Sequence, residues 1–80
     1  MFLGAIRDGR IIAAIEVEED GAWLYRPKWV DSSTYELDVN GWMPGVDERM
    51  AVVLLARYSG CALVPLTSRL DYPVEHPSIA

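Results

Sequence analysis

The chain has 80 residues, of which 51 % are apolar, and carries a formal net charge of −5 at pH 7. Its length allows one domain, and its acidic balance disfavours nucleic acid as a partner, because phosphate contacts are made by clustered Lys and Arg side chains. Cys61 is the only cysteine, which excludes a disulfide within the chain, and no ligand spacing predicts a metal site or a cofactor.

The first part of the chain alternates between apolar runs and turn residues. Residues 2–6 and 11–18 are predicted strands, and Asp8-Gly9 between them is a strong signal for a two-residue hairpin. Because side chains alternate between the two faces of a strand, four apolar residues of the second strand are expected to share one face: Ile11, Ala13, Ile15 and Val17.

Two further strands are predicted before the helix. Residues 22–26 form the third strand, which Pro27 should end or confine to the edge of the sheet, since proline cannot donate to a strand ladder. Residues 28–30 are a predicted continuation after a kink. Residues 35–39 alternate apolar and acidic side chains, which predicts a fourth strand with one solvated face.

Residues 46–58 are the one long predicted helix. Pro44 and Gly45 precede it, Asp47 lies at its start, and Gly60 can adopt the left-handed conformation after it. Residues 50–56 contain no polar side chain, and a helix that is apolar all round is normally buried on more than one side. We therefore expect Val53 and Leu54 to be almost fully buried.

The sequence predicts an α+β domain over residues 1–66: a small antiparallel β-meander of four to five strands packed on one apolar α-helix. Residues 61–66 are the last predicted strand. Residues 67–80 are polar and contain Pro73 and Pro77, so we expect a C-terminal tail that is mostly disordered in isolation and dispensable for folding.

Aromatic side chains are concentrated between positions 23 and 42, and exposed aromatic residues anchor many interfaces. The alternative is that they form the core beneath the helix. The segment around Pro27, with two cations, is the best candidate for a functional surface. The predicted partner-binding residues are Trp23, Tyr25, Arg26, Lys28, Trp29 and Trp42.

Four carboxylates form a predicted acidic patch that could hold a cation or a basic partner: Glu16, Glu18, Glu19 and Asp20. Their spacing matches no calcium loop, so a solvated strand end is the favoured interpretation. His76 is expected to be solvated, and Cys61 to be a small buried apolar residue. No nucleophile, phosphate loop or zinc spacing is present, and we do not expect an enzyme.

Residues 35–66 resemble the C-terminal segment of the tubby-C-terminal-like proteins, which include the phospholipid scramblases. The matching positions are Leu37-Asp38-Val39 on a strand, followed on the helix by Asp47, Arg49, Met50, Val53, Leu54 and Leu55. In that family the helix runs through the centre of a closed β-barrel. The resemblance implies an enclosed helix and a role related to lipid.

Three functional hypotheses follow. The leading one is a non-enzymatic protein–protein interaction module, for example a small inhibitor or regulator of the phage or mobile-element type. The alternative is a tubby-like remnant that associates with lipid or a membrane protein, and the least favoured is an enzyme assembled across a dimer. We expect another protein as partner, a homodimer, no membrane partner, and a cytoplasmic location, because the N-terminus does not resemble an export signal.

Overall fold

A computed structural model describes residues 1–77. Five strands and one helix follow each other along the chain: β1 (Phe2–Arg7), β2 (Arg10–Val17), β3 (Gly21–Trp29), β4 (Tyr35–Pro44), α1 (Glu48–Leu55) and β5 (Ala62–Pro65). The strands form one antiparallel sheet in the order β4-β3-β2-β1-β5. The predicted α+β class and the antiparallel sheet are therefore confirmed.

The β1–β2 hairpin forms at the predicted place. Arg7 pairs with Arg10, and the two residues between them, Asp8 and Gly9, have φ angles of 54° and 74°. Positive φ at both central positions is the requirement of a type I′ turn, whose twist matches that of the flanking strands. The Asp-Gly pair meets this requirement because both residues tolerate the left-handed region.

One predicted strand face is interrupted by a β-bulge in β2. Ala5 pairs with Ala13 and the next residue, Ile6, pairs with Ile11, so that Ile12 has no partner on β1. A bulge of this kind shifts the alternation of side chains by one position. Ile12 consequently joins the apolar cluster of Ala13 and Ile15, whereas Ile11 lies in the cluster on the opposite side. The prediction that Ile11 shares a face with Ala13 was wrong.

β3 and β4 are longer than predicted and form the longest hairpin. β3 continues through Pro27 to Trp29, and β4 continues past Gly41 to Pro44 with a register shift opposite Leu24 and Tyr25. The pairing of β3 with β2 ends at Tyr25, so Pro27 lies where β3 pairs with β4 alone. A missing backbone N–H is tolerated at such a position, which explains why Pro27 does not end the strand.

The sheet separates two apolar clusters. The first side, called here the helix face, contains Ala51 and Leu55 of α1 together with strand residues such as Leu3 and Ile15. The second side, called here the tail face, contains Ile11, Ala14, Tyr25, Leu37 and Leu66. All of these residues are at most 9 % exposed.

The helix is shorter and more exposed than predicted. The Asp47 side chain caps it by accepting a hydrogen bond from Met50 N at 2.9 Å, and it ends at Leu55 with Ala56 as C-cap. Gly60 has the predicted left-handed φ of 70° but lies beyond that cap.

Val53 is 55 % exposed and Leu54 is half-buried, so the prediction that both are almost fully buried was wrong. The sheet covers one side of α1, which differs from the enclosed helix that the resemblance implied.

The C-terminal segment, residues 67–77, lies across the tail face. Ile11 N donates a hydrogen bond to Pro73 O at 2.8 Å, and Glu75 N donates one to Ile11 O at 2.9 Å. Tyr72 and Val74 pack against the buried residues there, and Arg7 forms an ion pair with Glu75 at 3.0 Å. Residues 72–75 therefore contact the sheet, whereas the sequence predicted a tail mostly disordered in isolation; residues 78–80 lie outside the described residues.

Candidate functional site

Two tryptophans form an exposed pair on the tail face. Trp23 and Trp42 are opposite each other on β3 and β4, and their rings are tilted by 57° with centroids 4.8 Å apart. Trp42 is 39 % exposed and Trp23 is half-buried. A tilted aromatic pair of this kind is stabilised by the contact between its two rings. The tryptophan pair therefore presents a preformed aromatic surface to solvent.

Glu16 of β2 lies beside the tryptophan pair because it is directly opposite Trp23 of β3. The Tyr25 hydroxyl donates a hydrogen bond to Glu16 Oε1 at 2.9 Å, and the Tyr25 ring packs against Phe2 with centroids 5.3 Å apart. Since Tyr25 is buried, it holds the half-buried carboxylate of Glu16 in place. The tryptophan pair thus has a fixed negative charge at its border.

Burial raises the pKa of Tyr25, and the hydrogen bond to Glu16 adds to this rise because an ionised phenol could not donate it. The Glu16 charge and, more weakly, the Glu18 charge act in the same direction, whereas Arg69 acts against it. The Arg69 guanidinium lies 6.0 Å from the centroid of the Tyr25 ring. The carboxylates of Glu16 and Glu18 therefore both act on the buried Tyr25.

The raised pKa predicts a loss of stability at alkaline pH. A group whose pKa is raised by folding stabilises the protein below its ordinary pKa, here 10.0, and this contribution is lost as the pH rises through the pKa of the folded state. We expect the free energy of unfolding to fall between about pH 9 and about pH 11, and to fall less in Tyr25→Phe. Urea denaturation at both pH values measures the free energy of unfolding. An equal fall in the wild type and in Tyr25→Phe would contradict the prediction.

The rest of the predicted acidic patch is solvated. Glu18, Glu19 and Asp20 are exposed at the turn between β2 and β3. Within residues 1–77 no group of three or more His, Cys, Asp or Glu side chains is arranged to hold a metal ion. Of the four predicted carboxylates, Glu16 is the one whose position is fixed by a side-chain hydrogen bond on this face.

The two predicted cations lie on the opposite side of the sheet from the tryptophan pair. Arg26 donates a hydrogen bond to the Tyr58 hydroxyl and lies 5.1 Å from the centroid of its ring, and Tyr58 packs against the cluster of the helix face. Lys28 Nζ donates to Val39 O at 2.7 Å. The six predicted partner-binding residues therefore do not form one surface.

Trp29 belongs to a separate aromatic cluster at the other end of the β3–β4 hairpin. Its ring is 5.5 Å from Tyr35 and 5.0 Å from His76, and Tyr35 and His76 are 5.2 Å apart. His76 is half-buried, so the expectation of a simply solvated histidine was wrong. Trp29 itself is 47 % exposed, and it remains a predicted partner-binding residue at a second location.

A cleft of about 660 Å³ opens between the C-terminal segment and β4. Arg69 and Asp71 of this cleft are engaged in internal contacts. Arg69 Nη1 donates to Leu37 O at 3.4 Å and lies 3.6 Å from Asp38 Oδ1, and hydrogen bonds from Thr67 lower the pKa of Asp71. The contacts of Arg69 with Leu37 and Asp38 hold the segment to the sheet.

Comparisons of this chain with protein-family models, with curated proteins and with solved structures give no match. In residues 1–77 no helix is long and apolar enough to cross a membrane. The geometry of the tail face is therefore the basis on which a function can be argued.

Proposed function

We propose that the protein is a non-enzymatic interaction module that binds another protein through the tryptophan pair, the adjacent carboxylate of Glu16 and the exposed carboxylate of Glu18. The observation that carries this proposal is the exposed, preformed pair of Trp23 and Trp42 beside the fixed charge of Glu16. Tryptophan is enriched among the residues that dominate interface energetics, because it buries a large area with little loss of side-chain entropy.

The chemistry of this surface favours a partner segment that carries Lys or Arg. A cation over an aromatic face is attracted by the ring quadrupole, and the carboxylates of Glu16 and Glu18 add a complementary charge. The net charge of −5 also accelerates encounter with a basic partner. In this role the protein would act as a small inhibitor or regulator that occupies a basic surface of its target.

Differential capture from the native host tests the proposal. Wild-type, Trp42→Ala and Leu70→Ala proteins serve as baits, followed by mass spectrometry and by titration of the captured protein. Leu70 is a matched control because it is apolar, is 87 % exposed and lines the cleft beside the C-terminal segment. We expect Leu70→Ala to bind like the wild type and Trp42→Ala to lose at least about tenfold in affinity. Equal affinity of all three baits would refute the proposed site.

Charge reversal tests the chemistry of the partner separately. Glu18 is exposed, so Glu18→Lys should leave the fold intact while it weakens binding of a basic segment. The weakening should decrease as salt is added, because exposed charges are screened. A Glu18→Lys variant that binds more tightly would show that the partner surface is acidic.

Association with lipid or a membrane protein is the second candidate. It is favoured by the exposed apolar side chains of α1, Val52 and Val53, which lie between Arg49 and Arg57 along the chain. A surface helix with apolar and basic residues can lie at a membrane interface. Co-sedimentation with anionic vesicles distinguishes this candidate, because the tryptophan-pair proposal predicts no vesicle binding that depends on Val53.

A further inference from the structure

The helix face of the sheet is covered incompletely. Helix α1 packs against β1 and β2, and an apolar groove of about 250 Å³ remains between the end of the helix and the neighbouring strands. Leu24 and Met43 line it from the sheet, and Leu54 and Tyr58 line it from the helix side. All four are half-buried in the single chain.

An exposed stripe of the helix continues this groove. Val53, Leu54 and Arg57 come three, four and seven residues after Met50, a spacing that lies along one side of a helix. Arg57 continues this side two residues beyond the last residue of α1. Met50 is 47 % and Val53 is 55 % exposed, and Leu54 and Arg57 also line the groove. Apolar side chains in such a stripe are normally covered by another surface.

The charges at the two ends of the stripe are complementary to each other. The stripe begins next to Asp47, which is exposed, and ends at Arg57, which is also exposed. If two copies of α1 pack antiparallel about a two-fold axis near residues 52 and 53, Arg57 of each copy lies beside Asp47 of the other. The helix dipoles are then also antiparallel, and each helix places its positive end near the negative end of its neighbour.

We propose that this helix stripe and groove form the interface of a homodimer in which two copies of α1 pack antiparallel. A two-fold interface uses the same surface on both subunits, and the stripe is complementary to itself in this orientation. Met50 of each copy lies opposite Leu54 of the other, next to its groove. Methionine suits such a position because its unbranched side chain adapts to an irregular apolar surface.

The dimer interface and the tryptophan pair lie on opposite faces of the sheet, so the proposal does not depend on the proposed binding site. A dimer formed through α1 leaves both tryptophan pairs accessible and directs them away from each other. It would therefore have two equivalent partner-binding surfaces. A partner that is itself dimeric or repetitive would bind it with avidity.

Sedimentation equilibrium over a wide concentration range tests the dimer, using Val53→Lys and the matched control Val52→Lys. Both positions are exposed in the single chain, at 55 % and 43 %, but Val52 lies on the other side of the helix from the stripe. We expect reversible dimerisation of the wild type and of Val52→Lys. Val53→Lys should raise the dissociation constant by about tenfold or more. Circular dichroism below the dissociation constant should show the same fold for all three.

A second pair of variants tests the role of charge. Arg57→Glu places like charges together at both ends of the interface and should weaken the dimer, whereas Arg49→Glu, which changes an exposed cation outside the stripe, should not. A wild-type protein that stays monomeric at every concentration would overturn the proposal and would assign this face to a different protein or to lipid. Equal weakening by Val52→Lys and Val53→Lys would also overturn it.

Discussion

Removal of residues 67–80 is expected to lower the free energy of unfolding by about 3–6 kcal/mol, a large share of the stability of a small domain. The truncation deprives Ile11, which is 1 % exposed, of the backbone hydrogen bonds to Pro73 and Glu75. It also uncovers the cluster of Tyr25 and Leu37 by removing Tyr72 and Val74. A loss of this size should lower Tm by more than about 10 °C, as measured by thermal and urea denaturation.

The control for this truncation is Leu70→Ser, which changes an apolar residue of the same segment that is 87 % exposed. Its Tm should stay close to that of the wild type, because little apolar surface is lost. If truncation after Leu66 leaves Tm within a few degrees, the contacts of the segment with Ile11 and Arg7 contribute little. The domain would then end at Leu66, as the composition of the chain suggests.

Leu55→Ala is expected to reduce the free energy of unfolding by about 2–5 kcal/mol, as large-to-small changes in a core do. Leu55 is fully buried between α1 and the sheet, and its cluster includes Leu3, Ile15 and Ala51. Val53→Ala is the matched comparison on the same helix. Since Val53 is 55 % exposed, its truncation should cost less than about 0.5 kcal/mol in the monomer.

Urea denaturation at a concentration below any self-association measures both variants. The ratio of the two effects locates the buried side of the helix without reference to the rest of the structure. A Val53→Ala variant that is as destabilised as Leu55→Ala would contradict the observed orientation of α1. It would indicate a helix enclosed on all sides, as in the barrel that the tubby-like resemblance implied.

Local sequence signals predicted the strands and the first hairpin well. Asp8-Gly9 specifies a turn through its own backbone preferences, so the β1–β2 pairing could be predicted without tertiary information. The face of the sheet on which Ile11 lies could not be predicted in this way. The bulge at Ile12 depends on how β2 packs against both neighbouring strands, and the residue types of β2 do not indicate it.

The burial of the helix was misjudged because an apolar residue is not always a buried one. Residues 50–56 contain no polar side chain, so no difference in polarity indicates which side of the helix faces the sheet. The five-stranded sheet covers one side of α1, and Ala51 and Leu55 are the helix residues that it buries. Met50 and Val53 remain exposed to solvent or available to another surface.

The candidate site was predicted in its residue types and missed in its arrangement. Trp23 and Trp42 are far apart in sequence and meet because β3 and β4 pair over nearly their full length. Arg26 and Trp23 are close in sequence but lie on opposite faces, as an odd separation along a strand requires. Leu24, Met43 and Tyr58 of the groove were missed, since each residue resembles an ordinary core residue.

The attachment of the C-terminal segment has a consequence for how the chain folds. The β1–β2 and β3–β4 hairpins are local, but the side chains of Arg7 and Glu75 meet across a separation of 68 residues. Contacts of high sequence separation carry a larger loop-closure entropy and form late. Ile11, Tyr25 and Leu37 are therefore covered only once the segment docks, and a chain whose segment has not docked exposes this apolar surface on the tail face.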